Sequence, residues 1–480
     1  MSKDRQLKSI LQRQPDFIED TPLDNYFLSL QRDLFQKLND LDDKPKQDDD
    51  YDNSNSTQDL YLELGFADNA NFVQMLLDSF KQLHSLVLQR QEHQHQTQIK
   101  DTLEDTGSGS HKDDPSLLPI SLHDMKFVDA LINLIIVHGI DANLPTDLRI
   151  PMESKRLSNF RQNDRRYIVP NGHIPNILTL ESVCLTMYDI LVVHKSVIKD
   201  DYLRMVVLKG PLYANIFLAS LSLCIAEDRE GRTSQDKEIR LQKLEDIQET
   251  YTLYQMYTLL TQTVTNQVAK EKLLARLTSL VVRRPQNGLI SLIDFILGIR
   301  ENAPVTAENL QRVNKLLTSA TPRGMTRTRY LSILFTQIRD CLSYVNRPVL
   351  VSCVNGIITE FYYKNPRIVE DFLFAKIYAV MFNSPNPKPY STKEVNDTTN
   401  ILISISKNPS RDVIGSLIRR GTNHYDTFML QLWSYCLFLR LKQNLDPVDS
   451  KKTLGPYFEV ILSLMKTFII VLENYDILRL

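Results

Sequence analysis

From about Ile120 onward, apolar residues recur at the three-and-four spacing that places them on one side of a 3.6-residue helix. Phe127, Leu131, Leu134 and Ile135 keep this spacing, and Val183, Met187, Ile190, Leu191 and His194 line a second face. No alternating strand pattern with a hairpin turn interrupts it. In the second half, prolines fall near the starts of apolar helices at Pro285, Pro322, Pro366, Pro409 and Pro447, at intervals of 37, 44, 43 and 38 residues. Those intervals lie around the period of HEAT and armadillo units, about 40 to 47 residues. The segments KNPRIVEDFLFAKI, from Lys364, and KNPSRDVIGSLIRR, from Lys407, repeat Lys-Asn-Pro before an apolar face. Asn365 and Asn408 suit an N-cap, and Pro366 and Pro409 suit the first helical position, where a missing N–H removes no bond.

The unit from Asn346 to Asn383 shows what such a pattern builds. Its first helix puts Val351, Val354, Ile358, Phe361 and Tyr362 on one stripe; its second puts Val369, Phe372, Leu373, Ile377 and Met381 on another. So short a connection makes the two helices antiparallel. One hairpin cannot bury enough apolar surface to offset its own ordering, so it must stack on neighbours. The expected fold is therefore all-α, a HEAT/armadillo-like α-solenoid of antiparallel helical hairpins over residues 120–480, with Phe372 buried between its own unit and the next. The final helix carries an apolar surface of Phe458, Ile461, Leu462, Met465, Phe468, Ile469 and Leu472. A terminal repeat needs a polar outer face, so either an exposed apolar patch or a chain truncated relative to its relatives is expected, with self-association through that end.

Residues 1–100 are less regular, with amphipathic helices near Leu23–Leu38 and Asn71–Gln91. Between them, residues 42–58 (DDKPKQDDDYDNSNSTQ within that stretch) are acidic and too poor in apolar side chains to order themselves. A second break, residues 101–119, has the Gly-Ser chemistry of a flexible linker. Residues 141–176 form a long irregular segment with four prolines and the basic run KRLSNFRQNDRR. Lys155, Arg156, Arg161, Arg165 and Arg166 are the candidate partner-binding residues, for an acidic tail, a phosphate or a localisation receptor; the bland alternative is a solvated loop.

Composition narrows the classes. Glycine is scarce, 14 of 480 residues, which disfavours the phosphate loops and tight turns of parallel-sheet nucleotide enzymes. With 56 Lys and Arg against 58 Asp and Glu, no global field attracts nucleic acid, and partners must be recognised locally. The five scattered cysteines fit reduced thiols and neither a disulfide framework nor a CxxC zinc site. The N-terminus lacks the apolar core of a signal peptide. Gly210–Ala226 is uncharged for 17 residues, at the short limit for a membrane span, and a buried helix is the preferred reading.

No Walker loop, GxGxxG, GxSxG, HExxH or EF-hand loop is present, so neither a catalytic residue, a cofactor site nor a metal site is assigned. His93-Gln-His95 has no third ligand nearby and reads as a polar helix end. His138 and His194 read as satisfied boundary histidines, Cys341 and Cys353 as small core residues, and Trp433 as a core anchor in the most apolar helix.

The run RVNKLLTSATPRGMTRTRYLSILFTQIRDCL from Arg312, followed by NRPVLVSCVNGIITEFYYKNPRIVEDFLFAKIYAVM, resembles the transport and Golgi organization protein 6 family. The resemblance rests on a Leu-Leu helix end, a Pro-containing turn, a Tyr-led helix with Gln-Ile, and Arg-Pro and Asn-Pro helix starts. It implies a helical-repeat scaffold, like the fungal members described as factors required for nuclear transport of RNA polymerase II. Such members are typically longer, with further C-terminal repeats. The expectation is a non-enzymatic adaptor that binds RNA polymerase II subunits or import and assembly factors without touching nucleic acid, in the cytoplasm with shuttling to the nucleus. The alternative is a factor of secretion and Golgi organisation, peripheral to Golgi or endoplasmic reticulum membrane through residues 210–226.

Overall fold

A computed structural model describes residues 21–42, 59–104, 119–155, 157, 164–169, 173–193, 201–229, 235–319, 321–381, 390–408, 410–419, 428–445 and 455–472. Every regular element among them is helical, so the protein is all-α. The expected linkers at 42–58 and 101–119 fall largely outside the described residues, as do His194, Pro409 and Pro447. The chain divides into two compact units, residues 1–252 with 258–273, and residues 253–257 with 274–480.

The first unit begins with α1 (Pro22–Leu30), started by a capping box: Thr21 Oγ1 accepts the Asp24 N–H at 3.3 Å and the Asp24 carboxylate accepts the Thr21 N–H at 3.0 Å. A π turn at Gln31–Phe35 leads into α2 (Gln36–Asp42), and α3 (Asp59–Glu63) precedes the long α4 (Asn69–Glu104). Along α4, Phe72, Val73, Leu76, Leu77, Phe80, Leu83 and Val87 repeat at helical spacing and are all but inaccessible, which makes α4 the spine of the unit. It packs on α1, on the π turn Ile135–Ile140 that ends α5 (Met125–Leu134), on α6 (Ile177–Tyr188) and on α7 (Tyr202–Lys209). The boundary expected near residue 120 does not separate packing: Phe27 and Phe35 meet the Phe127 ring at 6.5 and 5.5 Å. Linker composition marks where the chain is polar; it carries no information on what the flanking helices touch.

The uncharged run lies in α8 (Pro211–Arg229), whose Leu212, Tyr213, Ile216, Phe217 and Leu218 are buried. It packs on α6, α7 and α9 (Gln235–Asp246), and the Tyr213 hydroxyl donates to the Leu244 carbonyl at 2.7 Å. Among the described residues no single helix is long and apolar enough to cross a membrane, and α7 and α8 are bent by 73° at Gly210.

Two helices, α10 (Thr250–Thr263) and α11 (Gln267–Arg283), contribute residues to both units. The second unit continues through α12 (Gly288–Ile296), α13 (Ala307–Ser319), α14 (Arg327–Ser343), α15 (Pro348–Lys364), α16 (Pro366–Val369), α17 (Ala375–Met381), α18 (Thr392–Lys407), α19 (Arg411–Arg419), α20 (Phe428–Leu445) and α21 (Gly455–Leu472). Packing runs between helices close in the chain: α12 on α14, α13 on α15, α14 on α15 and α18, and α18 and α19 on α21. Proline punctuation holds where it can be seen. Pro348 and Pro366 occupy first-turn positions of α15 and α16, and the Asn365 side chain accepts the Arg367 N–H at 3.1 Å. Pro285 lies in the turn before α12; Gly288 follows it because a Cβ there would meet the Val281 carbonyl at 2.5 Å.

Three expectations need correction. Phe372 is only half-buried, against Phe335 at 5.9 Å, while Leu373 and Phe374 are fully buried. A π turn at Glu370–Phe374 inserts an extra residue and rotates the apolar face. Trp433 is 49 % exposed, because α20 buries Phe428, Leu432, Cys436 and Leu439 instead. A helix apolar on every side gives periodicity nothing to choose between. The final helix, conversely, covers Ile461, Met465 and Phe468, leaving Ile469 and Ile470 exposed.

Candidate interaction surfaces

The basic run that the sequence offered as a contact is partly turned inward. Lys155 is buried with its ammonium on Asp141, and burial pushes its amine down to about 7. Arg166 forks onto the Asp164 carboxylate, Nε donating at 2.7 Å, and reaches Asn39 Oδ1 at 2.8 Å. Arg156, Arg161 and the Arg165 side chain lie outside the described residues. Two of the five candidates therefore hold the segment in place.

What they hold is a buried polar hub. Asn69 Nδ2 donates to the Tyr61 hydroxyl at 2.8 Å, Tyr61 donates to His138 Nδ1 at 3.0 Å, and His138 Nε2–H donates to the Arg166 carbonyl at 2.7 Å. Both imidazole nitrogens are thus used by the neutral ring, and burial pushes His138 down to about 4. Asn143 is the second centre. Its amide donates to Asn69 Oδ1 and to the His138 and Gly139 carbonyls, and its oxygen accepts the Asn176 N–H at 3.0 Å. Asn176 in turn caps α6 by accepting the Leu178 N–H at 3.0 Å. A chain of amides therefore fixes where the irregular segment re-enters a helix.

Beside the hub opens a cleft of about 460 Å³, with Asn69, Asn176 and Thr179 in its walls and Leu62 and Ile174 at its rim. Leu62, Ile174 and the neighbouring Leu178 are 62, 81 and 71 % exposed. A polar floor under an apolar rim suits a protein segment that brings both an apolar side chain and backbone polar groups. In the second unit, α20 presents Leu430, Trp433, Leu437, Phe438 and Leu441 to solvent along one side, a second apolar surface of the kind that marks contacts between proteins.

Elsewhere buried polar groups are structural. His84 Nε2 and Asp201 Oδ2, 2.7 Å apart, tie α4 to the start of α7. Burial alone would raise the Asp201 carboxyl, yet bonds from His84 and the Arg204 N–H leave it below its ordinary range. Cys341 and Cys353 are buried, and burial pushes both thiols up to about 12, away from reactivity. Among the described residues no three metal-ligating side chains converge. The hub escaped sequence reading because its members are far apart in the chain; the only local signal was Asn176 ahead of an apolar run.

Comparison with known proteins adds one firm relation. Over 508 aligned residues the chain is 39 % identical to the RNA polymerase II assembly factor RTP1 of Saccharomyces cerevisiae, covering 100 % of this chain and 48 % of that protein. The chain is a member of that assembly factor's family. It is the family expected from Arg312–Met381. The chain spans about half the length of the relative it matches. No family model and no solved structure matches.

Proposed function

We propose that the protein is a non-enzymatic helical scaffold for RNA polymerase II assembly, acting in the cytoplasm on polymerase subunits or their assembly partners and aiding their delivery to the nucleus. The observation that carries this reading is the 39 % identity, along the whole chain, to RNA polymerase II assembly factor RTP1. The physical character of the molecule supports it. Near-neighbour packing in the second unit is what stacked HEAT or armadillo hairpins produce, and the cleft rim and the α20 stripe supply apolar contact surface without a cluster of activated titratable groups. Arg156, Arg161 and Arg165 are the residues of the basic run that a partner contact would use. Depletion tests the role: subunits of the polymerase should accumulate in the cytoplasm while their synthesis continues. Unchanged nuclear polymerase together with a secretion defect would overturn it in favour of trafficking.

A further inference from the structure

The near-zero net charge of the chain conceals strong segregation. Residues 1–120 hold 12 Lys and Arg against 23 Asp and Glu, whereas residues 274–381 hold 14 against 7. Within the second unit this excess is gathered at one end of three packed helices. Four residues join α14 to α15, so the two run antiparallel and the start of α14 lies beside the end of α15. The Tyr330 hydroxyl donates to the Leu317 carbonyl at 2.8 Å, and Lys364 Nζ donates to the Thr318 carbonyl at 3.1 Å. The end of α13, the first turn of α14 and the end of α15 therefore share one surface.

On that surface Lys315, Arg323, Arg327, Arg329, Lys364 and Arg367 are all exposed. A turn closed by the Met325 N–H on the Pro322 carbonyl at 3.3 Å, with Gly324 at φ +79°, holds Arg323 outward. The nearby carboxylates are Glu360, Asp412 and, one turn after Arg367, Glu370 and Asp371. Glu360 lies 3.7 Å from Lys364, and Asp412 accepts the Tyr363 hydroxyl at 3.2 Å. Arg327 and Arg329 also sit at the positive end of a helix dipole, where α1, α13 and α18 carry Asp24, Glu308 and Glu394 and α14 carries no acid. Cations in that position work against folding, so a fold alone gives no reason for them.

We infer that this end of α13, α14 and α15 is a docking surface for a short acidic segment of a partner protein. Four of the six cations are arginines, whose planar forks match carboxylates two bonds at a time. Helices spaced about 8–10 Å apart make the surface roughly 20 Å wide, the reach of an extended stretch of about six residues. A patch of that size saturates with a short peptide, while a long polyanion would run beyond it onto a chain with no overall positive charge. The inference is independent of the polymerase role, since the chemistry of the surface does not specify whose segment it takes.

The test is fluorescence anisotropy of a labelled peptide of about ten residues rich in Asp and Glu, titrated with the 480-residue chain. Saturable binding is expected, weakened roughly tenfold or more by R323E/R327E/R329E and by raising salt from about 0.05 to 0.3 M. The neutral R323Q/R327Q/R329Q should weaken it less, and K37E/K126E/K393E, an equal charge change elsewhere, should leave it within about twofold. Circular dichroism reports whether each variant remains folded. Absence of saturable binding, equal loss in the patch and control variants, or tighter binding of a single-stranded oligonucleotide of matched charge would each overturn the inference. None of these outcomes bears on where polymerase accumulates after depletion.

Discussion

Residues 141–176 of the first unit and residues 348–381 of the second solve the same problem by different means. In the second, apolar periodicity and Asn-Pro caps place two helices back to back, and nearly everything between them is hydrocarbon. In the first, the chain leaves the helical pattern, and its course is fixed by Asn143, His138 and Asn176 acting on backbone groups. The lesson is that packing by periodicity spreads stability over many interchangeable methylenes, whereas packing by a polar hub concentrates it in a few groups that have no substitutes.

The comparison is broken most readily in the apolar region. Phe374→Ala should destabilise the second unit by about 3–5 kcal/mol, as for other fully buried aromatics, while Phe372→Ala should lose closer to 1 kcal/mol. Urea unfolding of both variants checks the π-turn rotation; equal losses would restore the unrotated face. In the first unit, Asn143→Ala leaves several buried donors and acceptors without partners and should cost about 2–4 kcal/mol. Hydrogen exchange should show the loss as faster exchange of the first α6 amides, with the α15 amides unchanged.

A third effect is pH-dependent and confined to the first unit. His138 is held near 4 by burial, below the value of about 6.5 expected in the unfolded chain, so the unfolded state binds the proton first as pH falls. The His138 contribution is complete above pH 6.5 and is lost between about 6.5 and 4, by at most about 3 kcal/mol. Denaturation across that range should show the decline, and His138→Gln should flatten it. The smallest effect is at a cap: Asn365→Ala removes the bond to the Arg367 N–H and should cost about 1 kcal/mol.

Legibility followed the same division. The all-helical class, the starts at Pro348 and Pro366 and the stripe Val351, Val354, Ile358 and Phe361 were readable because each depends on residues three or four apart. Phe372 and Trp433 were misplaced for opposite reasons: a π turn breaks the period at one, and an all-round apolar helix has no period at the other. Lys155 read as a free cation because its partner, Asp141, lies 14 residues away and nothing local announces the pair. The hub joins residues as distant as Tyr61 and His138, and only Asn176, ahead of an apolar run, left a local trace of it.

Purification of the tagged full-length protein from its own cells, with quantitative mass spectrometry, separates a chain that holds polymerase components from one that does not. RNA polymerase II subunits should be enriched above a matched control. Their absence, with enrichment of secretory or Golgi membrane proteins instead, would contradict the assembly role.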